Sequence, residues 1–151
     1  SWANEPTVRK NSFHTAPITL DEHEAWLRRV LADAKARLYI LMVENIPVGQ
    51  VRLEKSDVWR ISNSVAPAFR GQGYGKMLLQ IAENELIRAG EHTGEFLQGE
   101  VKADNIVSQI IFERLGYQCQ ELSPDYLCYH KVIGKKINPI VGVTVLKKAP
   151  Q

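Results

Sequence analysis

At 151 residues with 44% hydrophobic side chains, the chain is long enough to bury one real core and is expected to form one main domain. Nineteen basic against seventeen acidic residues leave a formal charge of +2, too even a balance to mark nucleic acid or an anionic membrane as the main partner. The two cysteines, Cys119 and Cys128, make no C-x-x-C pair, so neither a metal site nor a disulfide scaffold is expected and a reducing cytoplasm is the default compartment. No run approaches the roughly eighteen apolar residues of a membrane span, and no signal peptide is visible.

In chain order, Thr19-Leu20-Asp21-Glu22 forms a capping box, which satisfies the first N–H groups of a helix. Trp26, Leu27, Val30, Leu31 and Ala34 follow at helical spacing and predict its buried stripe. Residues 38–43 and 48–53 read as two strands joined by a turn at Glu44-Asn45-Ile46-Pro47. A third strand is expected over Val58 to Val65, followed by the turn Ala66-Pro67. Leu78, Leu79, Ala82 and Leu86 give the next helix, Lys76 to Ala89, a core face. A short strand from Glu95 to Val101, a helix from Asn105 to Leu115 and a closing strand from Tyr126 to Val132 complete the pattern. A hairpin followed by alternating helices and strands predicts an α/β sandwich around a mixed sheet. Residues 135–151 lie past this core, which ends near residue 134; their β-prone part, Asn138 to Lys147, either pairs with an exposed sheet edge or remains a frayed tail.

The densest signal is Arg70-Gly71-Gln72-Gly73-Tyr74-Gly75-Lys76, between the third strand and a helix. Its glycines let the backbone turn tightly. The helix behind it aims unpaired N–H groups and a positive dipole end into the same turn, which suits a phosphate or pyrophosphate. A Walker loop is excluded, since Gly75-Lys76 is followed by Met77 instead of a hydroxyl residue and Arg70 stands where its first glycine belongs. The dinucleotide fingerprint fails too, because the third glycine comes one residue early. What remains, Arg70-x-x-Gly73-x-Gly75 after a strand, resembles the acetyl-CoA loop of the GNAT superfamily of N-acetyltransferases. A second segment carries the same resemblance: Glu100-Val101 ends a strand, Asn105 and Ser108 open a helix, and Phe112 precedes Gly116-Tyr117 at its close. Together the two segments cover about residues 58–117.

That resemblance implies a mixed, mostly antiparallel sheet with helices on both faces, acetyl-CoA as cofactor and a small-molecule primary amine as acceptor. The chain opens like the middle of the family's first helix, so the family's first strand is expected to be missing. Main-chain N–H groups of Gln72, Gly73, Gly75 and Lys76, with Arg70 nearby and Gly71 and Tyr74 completing the loop, would cradle the pyrophosphate. Ser64, Val65 and Ala66 would bind the pantetheine arm through their main chain, the Val65 N–H serving as oxyanion donor. Asn105 would hold the arm from the other side or act only as a helix N-cap. Ser108 and Phe112 complete the cofactor set. Many relatives carry an acidic tyrosine at the Phe112 position; Phe112 cannot donate a proton, so water or Ser108 would serve, with Phe112 also reading as core. Glu54 is the first choice of general base and Glu100 the second; Asp57 and the strand residues Tyr126 and His130 are weaker candidates, and each carboxylate also reads as a solvated charge.

The opening segment, with Trp2, Pro6, Val8, Arg9 and Lys10, further resembles acetyltransferases acting on nucleotide-linked amino sugars, those of the pseudaminic-acid pathway nearest. On that resemblance Asn11, Ser12, Phe13, His14 and His23 face the acceptor, and Arg52 meets a nucleotide diphosphate. A protein or peptide acetyltransferase and a non-catalytic acyl-CoA-binding module are the alternatives. Dimers are common in the superfamily, so a homodimer is compatible with this reading.

Overall fold

The computed structural model describes residues 36–90 and 94–148, together with positions 20–22, 24, 25 and 28, which are helical. The capping residue Thr19 and the stripe of Trp26, Leu27, Val30, Leu31 and Ala34 lie outside the described residues. Among the described residues, seven strands form one sheet in the order β5-β6-β4-β3-β2-β1-β7. They are β1 (Ala36–Val43), β2 (Ile46–Lys55), β3 (Trp59–Val65), β4 (Phe96–Lys102), β5 (Gln118–Ser123), β6 (Tyr126–Val132) and β7 (Thr144–Lys148). Every neighbouring pair is antiparallel except β3 and β4. The mixed, mostly antiparallel sheet expected from the sequence is therefore present.

The first hairpin is tighter than the sequence suggested. Its loop is only Glu44-Asn45, both in left-handed conformation at φ 49° and 65°, the two-residue turn whose twist matches paired strands. Pro47 belongs to β2 instead of the turn. Pairing skips from Leu41↔Gly49 to Met42↔Pro47, so Val48 is an extra residue that bulges the strand where proline is accommodated.

Among the described residues, two helices cover one face of the sheet: α1 (Tyr74–Ala89) and α2 (Ile106–Arg114). Leu78, Leu79, Ala82 and Leu86 are all 0–1% exposed and meet Leu41, Val51, Leu53 and Ile61 in the core. Each buried leucine contributes about 1.5–3 kcal/mol. Gly90 ends α1 in left-handed conformation, its N–H donating to the Ile87 carbonyl. On the same face, α2 buries Phe112, whose ring stacks on Tyr129 at 5.2 Å and meets Tyr117 edge-on at 4.9 Å.

The β-prone tail forms β7, which pairs with the outer edge of β1 from Leu38↔Lys148 to Met42↔Thr144 in this same molecule. Its lead-in is tied to α1 by a buried amide: the Asn138 N–H donates to Asn84 Oδ1 at 2.7 Å, and Asn84 Nδ2 donates to the Asn138 carbonyl at 2.9 Å. Beside it Glu83, 5% exposed, accepts from Lys131 Nζ at 3.0 Å and from the Tyr117 hydroxyl at 3.1 Å. Glu83 and Asn84 carry a polar cluster inside a face that helical spacing marks as apolar.

Candidate functional site

β3 and β4 run side by side for only two pairs, Trp59↔Leu97 and Arg60↔Gln98, and then part. Main-chain groups of a strand alternate sides, so the register with β2 fixes which of them enter the opening. The Ala66 N–H donates to the Val48 carbonyl at 2.8 Å, which turns Ala66 and Ser64 toward β2. Asn63 and Val65 therefore present their amides to the gap. This corrects the expectation that Ser64, Val65 and Ala66 all offer main-chain bonds there. Val65 does; Ser64 and Ala66 spend theirs on β2. The Val65 carbonyl itself accepts from Arg70 Nε at 3.2 Å, which ties Arg70 back to the strand end.

The chain then makes one 3-10 turn, Pro67–Phe69, before the glycine loop. Gly71 and Gly73 have φ of 76° and 87°, a conformation L side chains rarely adopt. A Cβ at either would meet nothing within 4 Å, so the backbone conformation, and not crowding, requires glycine. Gly73 is the N-cap of α1 and supplies no side-chain acceptor, and the first turn holds no acidic residue. The leading N–H groups of α1 thus reach the loop with no side chain capping them and no negative charge beside them. Gly75 is needed for a different reason: a Cβ there would sit 3.0 Å from Ile111 of α2.

Loop, strand end and α2 enclose a cleft of about 570 Å³. From the expected set it is lined by Ser64, Val65, Arg70, Gly71, Gly73, Tyr74, Gly75 and Lys76, with Asn105 and Ser108 across from them. Asn105 is the N-cap of α2, its Oδ1 accepting from the Ser108 N–H at 3.3 Å, so it caps and faces the cleft at once. Ala66 and Gln72 do not line it. Neither does Phe112, which is 5% exposed and lies in the core, so its place among the cofactor contacts is corrected. A wall of Val107, Ile110, Ile111 and Arg114 was not anticipated, though these positions recur at i, i+3, i+4 and i+7. Val107 is 70% and Ile110 41% exposed, while Ile111 packs against the core.

The face away from α1 carries the candidate bases. Register aligns Glu54, Arg60, Gln98 and His130 in one row across four strands, with Glu100 one step further along β4. Arg52 Nε lies 2.6 Å from Glu54 Oε1, so the expected diphosphate ligand and the first-choice base hold each other. Glu54 also lies level with the last β3–β4 pair, at the closed end of the opening. Glu100 is exposed and stands on β4 just past that pair. Its pairing partner Cys128 is buried; burial raises the thiol pKa, and the Glu100 charge raises it further. Asp57 is exposed in the β2–β3 turn and held below the usual carboxylate range chiefly by the Ser56 hydroxyl. Tyr126 and His130 are half-buried on β6, His130 edge-on to Phe96 at 6.0 Å. Asn11, Ser12, Phe13, His14 and His23 lie outside the described residues.

Both cysteines are free, Cys119 exposed and Cys128 buried. Among the described residues no cluster of three or more His, Cys, Asp or Glu could hold a metal ion, and no helix is long and apolar enough to cross a membrane.

A family model described as the acetyltransferase (GNAT) domain matches residues 1–118. Among solved structures, the chain is similar to spermidine N-acetyltransferase from Vibrio cholerae, solved with CoA and spermine, at 16% identity over 89% of this chain and 88% of that one, with a TM-score of 0.75. A domain from Methanocaldococcus jannaschii DSM 2661 aligns at 20% identity over 87% of each chain, with a TM-score of 0.72. Aminoglycoside acetyltransferase AAC(6')-Ib in complex with coenzyme A aligns at 20% identity over 87% of this chain and 85% of that one, with a TM-score of 0.69. At such identities the likeness is one of fold. No curated protein matches the chain at a significant level.

Proposed function

This chain belongs to the acetyltransferase (GNAT) domain family and is an acetyl-CoA-dependent N-acetyltransferase, and from that premise we propose that its acceptor is the primary amine of a nucleotide-linked amino sugar. The observation that carries the donor half of this reading is the pairing of two features on one cleft. An uncapped helix start behind two left-handed glycines suits a diphosphate, and the Asn63 and Val65 amides facing the gap suit an extended arm with amide groups of its own.

Acetyl-CoA supplies a thioester, whose carbonyl carbon an amine can attack and whose thiolate leaves readily near neutral pH. The protein's share is position, charge and proton handling. The N–H groups of Gly73, Tyr74, Gly75 and Lys76 hold the diphosphate, and the Lys76 and Arg70 side chains add positive charge at the cleft. The Val65 N–H is the donor for the oxygen that gains charge during attack. Asn105 and Ser108 bound the arm from α2, Ser108 bringing a hydroxyl in place of the tyrosine that Phe112 replaces. The apolar wall of Val107, Ile110 and Ile111 excludes water beside them. Glu100, exposed at the opening, receives the proton from the ammonium; Glu54, tied to Arg52, is the weaker choice. Support for the acceptor comes from the opening segment, with Asn11, Ser12, Phe13 and His23 as its contacts. The proposed setting is a cytoplasmic enzyme that can form a homodimer, with residues 1–134 as its catalytic domain and 135–151 as an extension.

The test is thiol release from acetyl-CoA with a panel of nucleotide amino sugars, polyamines, aminoglycosides and peptides. Turnover confined to the amino sugars supports the reading. Preference for peptides would move the assignment to a protein N-terminus or lysine, and donor binding without turnover on any amine would make the domain a binding module.

A further inference from the structure

We propose that Arg60 is the specificity-determining residue of the acceptor side, binding a phosphate or carboxylate that the acceptor carries beside its amine. It is the second residue of β3, opposite Glu54 on one side and Gln98 on the other, in the last row before β3 and β4 part. Its neighbours in sequence, Trp59 and Ile61, are buried toward α1, which turns Arg60 to the opposite, exposed face. Other cations around the sheet are already engaged. Arg52 is held by Glu54, Lys131 by Glu83, and Lys55 by Glu95. Arg60 has neither an ion pair nor a hydrogen bond to any described residue; the exposed Asp57 carboxylate feels its charge without pairing with it. A guanidinium left free beside a reaction centre offers two parallel N–H donors, the geometry that carboxylates and phosphates take.

The other half of the argument is the charge of the whole face. On β2, β3, β4 and β6 its charged and titratable residues are Arg52, Arg60 and Lys102, the carboxylates Glu54 and Glu100, and Tyr126, Cys128 and His130. Glu54 is already neutralised by Arg52, so Glu100 is the carboxylate left to receive an amine. A polyamine or aminoglycoside brings several ammonium groups and would meet Arg60 and Lys102 with one free carboxylate between them. An acceptor with one amine and one anion matches both unspent charges. Glu100 stands diagonally from Arg60, just past the last β3–β4 pair, so their backbones are at least about 8 Å apart, room for one sugar ring between amine and phosphate. Both charges reach the same buried thiol: Glu100 raises the Cys128 pKa, after burial itself, while Arg60 lowers it.

The inference deepens the amino-sugar reading and rests on it for the body of the acceptor, but not for the anion. The experiment compares kcat/KM for one amino sugar offered as its nucleoside diphosphate, as its 1-phosphate and as its uncharged methyl glycoside, beside spermidine and a phosphorylated amine that is not a sugar. It uses the full chain carrying Arg60, Arg60→Ala, Arg60→Lys or Arg60→Glu, and KM for acetyl-CoA is recorded for each. The expected result is a tenfold or larger loss for the two anionic acceptors in Arg60→Ala, mostly in KM. The methyl glycoside and acetyl-CoA should change less than threefold. Arg60→Lys should recover part of the loss, and Arg60→Glu should shift preference toward spermidine. An equal loss on charged and uncharged acceptors, or none, overturns the role of Arg60 while leaving the amino-sugar reading intact. Loss confined to some other phosphorylated amine supports Arg60 and rejects the amino sugar. A wild-type enzyme that prefers spermidine, or that binds none of the anionic acceptors by calorimetry with CoA present, overturns both.

Discussion

A Cβ built on Gly99 falls 2.4 Å from Cζ of Phe112, so the phenyl ring occupies the space that any side chain at position 99 would need. The ring is pinned there between Tyr129 and Tyr117, both buried, and cannot swing aside. Gly99→Ala is therefore expected to overpack the core by about 1–3 kcal/mol. Phe112→Ala should cost more, about 3–5 kcal/mol, through the cavity it leaves. Thermal unfolding checks both, since about 1 kcal/mol lowers Tm by roughly 2–4 °C in a chain of this size. An unchanged Tm for Gly99→Ala would show that the ring is not held over β4.

Gly73 separates loop chemistry from plain glycine strain. Its φ of 87° resembles the 71° of Gly90, which ends the same helix away from the cleft. Replacing either with valine should cost stability through the left-handed backbone, on the order of 1–2 kcal/mol. Only Gly73→Val is expected to weaken acetyl-CoA binding, by tenfold or more, because it alone disturbs the amides at the cleft. Calorimetric titration of both variants tests this; equal affinities would place the diphosphate elsewhere.

The two candidate bases should part company as well. Glu100→Gln is expected to lower kcat by about 100-fold or more with little change in acetyl-CoA affinity, the usual scale for a lost general base. Glu54→Gln should change kcat by only a few-fold, because its carboxylate serves Arg52 at the closed end of the opening. The reverse ranking in steady-state kinetics would return Glu54 to the first place that sequence reading assigned to it.

Legibility followed the range of the signals. The glycine loop, the apolar face of α1 and the strand and helix order depend on residues within a few positions of one another, so periodicity and turn chemistry exposed them. β6 starts and stops at Tyr126 and Val132, the bounds expected from the sequence. Features set by pairing across the sheet were hidden. Nothing local to Ser64 or Ala66 says that β2 claims their amides, whereas Arg52 and Glu54, two apart on one face of β2, form a pair that strand alternation could have exposed. β5 escaped notice because its residues, from Gln118 to Leu122, are exposed and polar enough to lack alternation. Glu83 and Asn84 carried no local signal of burial, because their partners, Lys131 and Asn138, lie about fifty residues away.

Three buried tyrosines predict alkaline sensitivity. Burial raises the hydroxyl pKa of Tyr39, Tyr117 and Tyr129 above 10.0, with Glu83 adding to the effect at Tyr117. A pKa raised on folding means that the protonated form is the one the fold favours. The stability tied to that proton is complete below pH 10 and is lost as pH rises through the folded values. Unfolding should accelerate above about pH 10, with phenolate absorbance appearing together with loss of structure. Tyr117→Phe should blunt that response. Titration of all three phenols in a still-folded protein would contradict it.

Asn84 tests whether the tail is a structural part of the domain. Its amide accepts from the Asn138 N–H and donates to the Asn138 carbonyl, while Glu83 beside it lies 3.5 Å from Asn138 Nδ2. Asn84→Leu keeps the branched shape and strands both main-chain groups, a loss of about 1–3 kcal/mol for each left buried. The consequence should travel down the chain, because residues 138–143 deliver β7 to the edge of β1. Amides of Thr144 to Lys148 are expected to exchange with solvent at least tenfold faster in the variant, and those of β1 that pair with them should follow. Amides of β6, held by β4 and β5, should keep their protection. If β7 kept wild-type protection in Asn84→Leu, the strand would be held by its pairing with β1 alone and the buried amide would be incidental. If β6 lost protection as well, the variant would be loosening the whole sheet, and the tail would have no separate anchor at Asn84.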